Sequence, residues 1–412
     1  MEKVKRKVTY RLYPSSRQQS ALSETLRMHQ QLYNAALEHR INAYKKCGKS
    51  IRFYDQCSEL TELRRELPEY ASVNAQSCQV TLKRLDLAFQ AFFRRIKSGD
   101  KKAGFPRFKS YDRYSGFGYK THGDGWKLLC GEQGKHGYLR LSGIGQIKIR
   151  GKGKHVGTPK TCEIQHKQGK WYASITLECS PARACGKEAI GIDWGLETFA
   201  TIAKHDGSIA AIANPRTLRK HLKELGSKQR VLSRKKRGSN NRQRAQAKVA
   251  KLHGRVSNAR KEFMHQVTAK IVKTSALIAV EQLNVKGMSS HGGSHKKGLN
   301  REILSAAPRM FHQMLRYKAE EAGIEWIEII TKIAKPSQTC HGCGRQEKKL
   351  LSERWHNCVC DVSCSRDENA ARVILHWALF GNATGQELAR RGESALVDSL
   401  KHETPSITAS AV

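Results

Sequence analysis

Hydrophobic and polar positions change their period several times along this chain. It opens on alternation, with Val8, Tyr10 and Leu12 on one side and Lys7, Thr9 and Arg11 on the other. That pattern predicts a half-buried strand ended by Pro14. The step then becomes three and four. Leu22, Leu26, Tyr33, Leu37, Ile41 and Tyr44 form one series, and Leu82, Leu85, Phe89, Phe92 and Ile96 a second. Residues 16 to about 98 therefore read as a helical module. The aromatic stripe Phe89, Phe92 and Phe93 reads as core rather than as a platform for stacked bases. Alternation returns between Gly104 and Ser180, in Ile144, Ile147 and Ile149 and in Trp171, Ala173, Ile175 and Leu177, among glycine turns. We expect a small barrel or sheet that the N-terminal strand completes, with the helices inserted between. Gly151-Lys152-Gly153-Lys154 looks like a phosphate loop but lacks the strand–loop–helix setting and the Gly-Lys-Ser/Thr ending. A basic hairpin turn is the better reading.

The second half alternates strand and helix. Ala189 to Asp193 and Thr198 to Ala203 read as strands joined by a turn at Gly195. Ala276 to Glu281 and Ile324 to Ile330 are two more buried strands, and an apolar helix runs from Asp367 to about Leu379. The last 30 residues lose this periodicity and read as a mobile tail. The expected fold class is a multidomain mixture of α+β and α/β.

Charge narrows the function. The 412 residues carry 75 Lys+Arg against 36 Asp+Glu, a formal excess of +39. So large an excess implies a polyanionic partner, nucleic acid before an anionic membrane surface. The basic N-terminus has no apolar core of a secretory signal, and no run approaches 18 apolar residues, so we expect neither export nor a membrane span. Residues 216 to 261 hold seventeen Lys/Arg and one acid, Glu224. A solvated helix face mixes both signs, so this stretch reads as a phosphate-contacting element. Its candidates are Arg234, Lys235, Lys236, Arg237, Arg242 and Arg244, with a break between two helices at Gly238-Ser239-Asn240-Asn241.

Two side-chain sets carry chemistry. Asp193 ends the run Ile190-Gly191-Ile192, Glu281 closes Ala276 to Val280, and Asp367 opens the last helix. A buried acid at a strand end is costly unless it is paired. Three such acids can share divalent cations, and hard oxygen ligands suit two Mg²⁺ or Mn²⁺ ions acting on a phosphodiester. Separately, Cys340-x2-Cys343 is followed after fourteen residues by Cys358-x-Cys360 and then Cys364. Two close pairs in a reducing cytoplasm suit one tetrahedral structural Zn²⁺. The fourth ligand is Cys360 or Cys364, with His356 a weaker choice.

The order of these features resembles the TnpB family of transposon-encoded RNA-guided DNA endonucleases, ancestral to type V CRISPR effectors. The resemblance is carried by Tyr10-Arg11-Leu12-Tyr13-Pro14, Gly104-Phe105-Pro106-Arg107-Phe108-Lys109 and Gly191-Ile192-Asp193-Trp194-Gly195-Leu196. Val280-Glu281-Gln282-Leu283-Asn284-Val285-Lys286-Gly287-Met288, Ser337-Gln338-Thr339-Cys340 and Arg366-Asp367-Glu368-Asn369-Ala370-Ala371 complete it. It implies a RuvC-type RNase H fold with Asp193, Glu281 and Asp367 as the catalytic carboxylates, and a zinc finger over 336–364 inserted before the last RuvC helix, 365–380. It also implies a β-barrel wedge domain from 1–13 and 104–181 and a helical recognition domain over 14–103. The first part of the nuclease would span 187–335, with the basic helices 216–261 and a mobile lid at 288–300, and residues 381–412 would be the tail. By position, Tyr54, Gln76 and Gln79 would contact the short motif beside the target. The implied partners are a guide RNA and double-stranded target DNA in a prokaryotic cytoplasm, at the nucleoid. One departure is Ser365 where the family often has Asp. A miniature CRISPR effector, a nuclease-inactive repressor and a DNA-strand transposase are the alternatives, the last without a Tyr or His-hydrophobe-His motif to support it.

Overall fold

The computed structural model describes residues 3–100, 102–130, 134–151, 157–180, 183–290, 292–350 and 352–381. Lys152 to Lys154 of the expected hairpin turn and residues 382–412 of the expected tail lie outside them. The chain divides into two compact units, residues 1–181 and 182–412. Among the described residues no helix is long and apolar enough to cross a membrane.

The first unit begins with β1 (Val4–Tyr13), whose Val8, Tyr10 and Leu12 are buried as the alternation requires. Ser15 then starts α1 (Ser16–Cys47) through a reciprocal cap: Gln18 N–H donates to Ser15 Oγ at 3.3 Å, and Ser15 N–H donates to Gln18 Oε1 at 3.0 Å. Gly48 ends the helix in the left-handed conformation. α2 (Phe53–Glu66), α3 (Pro68–Ser72) and α4 (Ala75–Lys97) follow. The chain then returns to strand as β2 (Gly116–Tyr119), β3 (Trp126–Cys130), β4 (His136–Leu141), β5 (Gly145–Arg150), β6 (Thr158–Lys167) and β7 (Lys170–Cys179).

These strands form one antiparallel sheet in the order β2-β6-β7-β1-β5-β4-β3. Six spacings of about 4.8 Å would hold the edges of a flat sheet roughly 29 Å apart. Yet the edge strands β2 and β3 are joined by only residues 120–125, folded on themselves by hydrogen bonds from Gly123 N–H to the Trp126 carbonyl and Asp124 N–H to the Thr121 carbonyl. The sheet must therefore curl until its edges approach. Buried His29 ties the helices to it: Nδ1 lies 2.9 Å from Thr81 Oγ1, Nε2 lies 3.1 Å from Ser77 Oγ, and the ring stacks on Phe117 at 5.0 Å. Burial first, and then the nearby Arg84 charge, pull its pKa down to about 3, so it is neutral.

One expectation fails here. Phe89, Phe92 and Phe93 are not core. Phe93 is 59% exposed and Phe89 is only packed against the core margin, because buried positions end at Arg40 in α1 and Leu85 in α4 while both helices run on.

The second unit starts with a meander, β8 (Glu188–Trp194), β9 (Thr198–Lys204) and β10 (Ile209–Ala213). α5 (Thr217–Ser233) and α6 (Asn240–Thr274) follow, broken where the Gly-Ser-Asn run predicts. Next come β11 (Ser275–Glu281), α7 (Val285–Met288), α8 (Ser294–Ala306), α9 (Pro308–Ala322), β12 (Glu325–Ile329) and α10 (Thr331–Ala334). A short hairpin, β13 (Trp355–Asn357) and β14 (Ser363–Ser365), leads into α11 (Arg366–Phe380). The sheet order is β10-β9-β8-β11-β12, with β8, β11 and β12 parallel and β9 antiparallel to its neighbours.

Period two sorts the two faces of this sheet. Ile190, Ile192, Ile278 and Val280 join the core made with Met264, Phe311 and Leu315 of α6 and α9. Ala189, Leu277 and Ala279 face Ala371, Ile374 and Leu375 of α11. Gly191 sits on that second face. A Cβ there would lie 2.5 Å from both the Ala371 carbonyl oxygen and the Leu375 backbone nitrogen. These are helix backbone atoms that cannot swing aside, so only glycine lets α11 seat this deeply.

Gly191→Ala should therefore destabilise the protein by about 2 kcal/mol or more, as overpacking does. Gly226→Ala is the control: it lies inside α5 with open space around it, and should be neutral or stabilising by ~0.5–1 kcal/mol. Urea denaturation of the three proteins checks both signs.

Candidate nuclease centre and cysteine cluster

The same parity sets the first site. Asp193 and Glu281 follow Gly191 and Ala279 by two residues, so both occupy the sheet face on which α11 lies. β8 and β11 are adjacent and parallel, with Val280 opposite Ile192, so the two acids come out side by side at the carboxyl ends of their strands. Asp367 is the second residue of α11, and its Oδ2 lies 3.6 Å from where a Cβ on Gly195 would be. Three segments far apart in sequence thus deliver three carboxylates to one edge.

Their electrostatics are those of crowded like charges. The Asp193 pKa is raised well above the usual carboxylate range by burial first and then by Glu281 and Asp367, with Arg366 opposing. Burial raises Glu281 up to about 7. No hydrogen bond or ion pair satisfies any of the three side chains among the described residues. Their oxygens do not all lie within 4.8 Å of one another. An oxygen-only set of carboxyl groups without partners, which a bound cation would hold ionised, fits hard divalent cations.

Ser365 explains the departure from the family pattern. Its hydroxyl accepts from Glu368 N–H at 3.2 Å and caps α11. Asp and Ser are equivalent there, so the position holds the helix start in either form.

In the second site Cys340, Cys343, Cys358 and Cys360 gather with their sulfur atoms all within 4.8 Å of one another. Cys340 Sγ lies 3.6 Å from Cys360 Sγ, and Cys343 Sγ lies 3.5 Å from Cys358 Sγ. Cys364 and His356 are elsewhere, facing each other across the β13–β14 ladder, and His356 Nδ1 meets Lys349 Nζ. Burial pushes the Cys340 thiol up to about 12, while the Cys360 backbone N–H leads in pulling Cys358 down to about 7. Four convergent sulfurs in this arrangement could hold one tetrahedral metal ion.

The residue that joins the two sites is Asn369, which the pattern did not single out for a role. Fully buried on α11, it accepts from His341 N–H at 3.0 Å and donates to the Thr339 carbonyl at 2.7 Å. It thereby fastens the Cys340 loop to the helix that carries Asp367. A buried Asn inside an apolar helical run was the available signal.

The nucleic-acid candidates scatter. Arg234, Lys235, Lys236, Arg237 and Arg244 are exposed around the α5–α6 turn, whose small core is Leu225, Val249 and Leu252. Arg242 is half-buried and donates to the Leu232 and Lys235 carbonyls at 3.0 and 2.9 Å, so it closes the turn. Tyr54, at the start of α2, is 78% exposed. Gln76 and Gln79 are half-buried in the first turns of α4, and Gln76 Oε1 has no hydrogen-bond partner among the described residues. Of the segment 288–300 read as a lid, residues from Ser294 onward are the first turns of α8.

Comparison with known proteins places this architecture. Residues 162–291 match a family model described as "Probable transposase", and residues 309–374 match a "Cas12f1-like, TNB domain". Residues 1–49 match a "Helix-turn-helix domain", although here they fold as a strand and one unbroken helix. A protein of Streptomyces pristinaespiralis named "Putative RNA-guided DNA endonuclease" is 30% identical over 99% of this chain and 98% of its own length. InsQ of Escherichia coli K12, named in the same terms, is 29% identical over 89% of this chain and 90% of its own. "TnpB-like protein L79" of Acanthamoeba polyphaga mimivirus is 27% identical over 52% of this chain and 43% of its own. Among solved structures, a chain from a Cas12f1–sgRNA–target DNA complex superposes with a TM-score of 0.54 over 90% of this chain and 99% of its own, at 12% identity, a likeness of fold. The chain belongs to the TnpB family, among relatives named as RNA-guided DNA endonucleases.

Proposed function

We propose that this protein is an RNA-guided DNA endonuclease that hydrolyses phosphodiester bonds at the edge formed by Asp193, Glu281 and Asp367. The observation that carries the reading is the convergence of these three unpaired acids in a chain of charge +39. The strand order third-second-first-fourth-fifth, with the second strand antiparallel, supports a RuvC-type RNase H fold for the second unit. In this reading the curled sheet, 1–13 with 104–181, is the wedge domain and 14–103 the recognition helices. Residues 187–335 and 365–380 are the nuclease, 288–300 its lid, and 336–364 a zinc finger.

Two divalent cations, Mg²⁺ or Mn²⁺, held by Asp193, Glu281 and Asp367 would supply an activated water and stabilise the leaving oxygen. The chain's own residues do the positioning. Gly191 sets the depth of α11, Ser365 holds its first turn, and Asn369 locks it to the cysteine loop. Zn²⁺ bound by Cys340, Cys343, Cys358 and Cys360 would fix that loop from its other end, where few apolar residues are available to do so. Arg234, Lys235, Lys236, Arg237, Arg242 and Arg244 mark the basic hairpin that lies along nucleic-acid phosphates. Base pairing between guide and target supplies sequence specificity, while the protein reads only the flanking motif, for which Tyr54, Gln76 and Gln79 remain the candidates. The complete carboxylate set speaks against a nuclease-inactive repressor.

Three outcomes are expected. Asp193→Ala should abolish divalent-cation-dependent cleavage of a plasmid target and leave RNA and target binding intact in a gel-shift assay; undiminished cutting would remove Asp193 from the mechanism. For stability, an acid whose folded pKa is raised holds more protons folded than unfolded, so it lowers stability as pH rises from about 4 to about 7. His29 and His312, whose folded pKa values burial lowers to about 3 and about 4, act in the opposite direction over that range. The comparison is therefore a difference: without added Mg²⁺, Asp193→Asn should gain thermal stability over wild type at pH 7.5 and gain clearly less at pH 5, with the gap narrowing as Mg²⁺ is added. Elemental analysis should find one zinc per chain, retained in Cys364→Ser and lost in Cys360→Ser.

A further inference from the structure

The apolar stripes of α1 and α4 continue past the core and end in a cavity. Ile41 and Tyr44 come from α1, and Phe89, Phe92 and Phe93 from α4; Tyr44 is 68% and Phe93 59% exposed. Phe105, from the segment after α4, stands edge-on to Phe89 at 5.4 Å and to Phe92 at 5.2 Å. The space they enclose is about 780 Å³, within the range of ligand pockets.

The same cavity is lined by Arg40, whose side chain is only 7% exposed. Nε donates to Gln56 Oε1 at 2.8 Å, Nη1 pairs with Asp86 Oδ1 at 3.4 Å, and the guanidinium sits 5.1 Å from the Phe89 ring. Nη2 is buried with no hydrogen-bond partner among the described residues. A buried donor left unmet is destabilising, and native structures pair nearly all of them. An occupant of the cavity must be flat and apolar enough to lie among phenyl rings, and polar at the edge that meets the Arg40 side of the wall. A nucleobase has both properties. Lys45 and exposed Arg52 at the rim add positive charge where the attached phosphate would lie. That cationic rim, in a chain of +39, favours a polyanion over an apolar protein side chain. A duplex keeps its bases paired and stacked, whereas a folded RNA presents unpaired ones.

We propose that this cavity binds one unpaired base of the guide RNA, stacked among Phe92, Phe93 and Phe105 with its edge towards the Arg40 side of the wall. The inference rests on the RNA-guided reading above and locates an RNA contact in the first unit.

The test uses the full chain and the RNA that co-purifies with it from cells, sequenced and then transcribed with 4-thiouridine. Stacking on a removed aromatic is commonly worth severalfold to a hundredfold in affinity. Phe93→Ala with Phe105→Ala, both partly exposed positions, should weaken RNA binding about tenfold in a filter assay while the protein stays folded, its melting temperature lowered by a few degrees at most. Phe93→Trp should bind as wild type. Ultraviolet cross-linking should attach nucleotide to the peptides holding Phe92, Phe93 or Phe105. Equal RNA affinity in wild type and the double variant overturns the proposal, as do adducts at these peptides only from bromodeoxyuridine-labelled target DNA. Self-association of the RNA-free wild type that the double variant abolishes would also overturn it, by assigning the cavity to a second copy. Failure of any discrete RNA to co-purify would instead bring down the RNA-guided reading itself.

Discussion

The contact on which the second unit depends is backbone against backbone. At Gly191 the α11 carbonyl of Ala371 and amide nitrogen of Leu375 approach β8 more closely than any side chain would permit. Interiors are packed so densely that such an approach cannot be adjusted by a fraction of an ångström without moving everything attached. What is attached here is the chemistry. Asp367 rides on the first turn of the helix, Asp193 leaves the same strand two residues after the glycine, and Glu281 leaves the neighbouring strand in register. Depth of seating therefore fixes the spacing of all three acids.

A second set of restraints holds the same helix from its other side. Asn369 pairs with backbone groups of the cysteine loop, Ser365 caps the first turn, and Arg372 ties Glu368 to the carbonyl of Gly207. The cysteine cluster and the acidic edge are thus mechanically one structure, although their chemistries differ. The acidic edge is also an electrostatic exception. A chain with a large positive excess collects nucleic acid broadly, but at this edge three carboxyl groups sit together, and Glu281 and Asp367 raise the Asp193 pKa against the opposing charge of Arg366. Such a concentration stores repulsion that a divalent cation would relieve, which links metal binding to the stability of the bare fold.

Much of this was legible in the chain. Alternation located β1, short buried runs located β8, β9 and β11, and the glycine-serine-asparagine run located the break between α5 and α6. The three acids could be picked out because two ended apolar runs and the third opened an apolar helix, and the cysteines because they come in close pairs. These signals are local: they follow from side-chain period and from the chemistry of neighbouring residues. The sequence left the fourth sulfur open between Cys360 and Cys364, since both lie within reach of the pair. It misread Phe89, Phe92 and Phe93, because a helical stripe says which way side chains point and not how far the buried core extends.

Sequence by itself determined the elements, the polyanionic partner and the residue types able to hold metals. Tertiary structure decided which of these meet. Cys360 joins the cluster because Cys364 is taken into a strand ladder opposite His356. Arg242 closes a turn while its basic neighbours stay exposed. The aromatic cavity with Arg40 at its wall exists because two helices outrun the core they share. Each outcome depends on where distant segments end in space, and no local period carries that information.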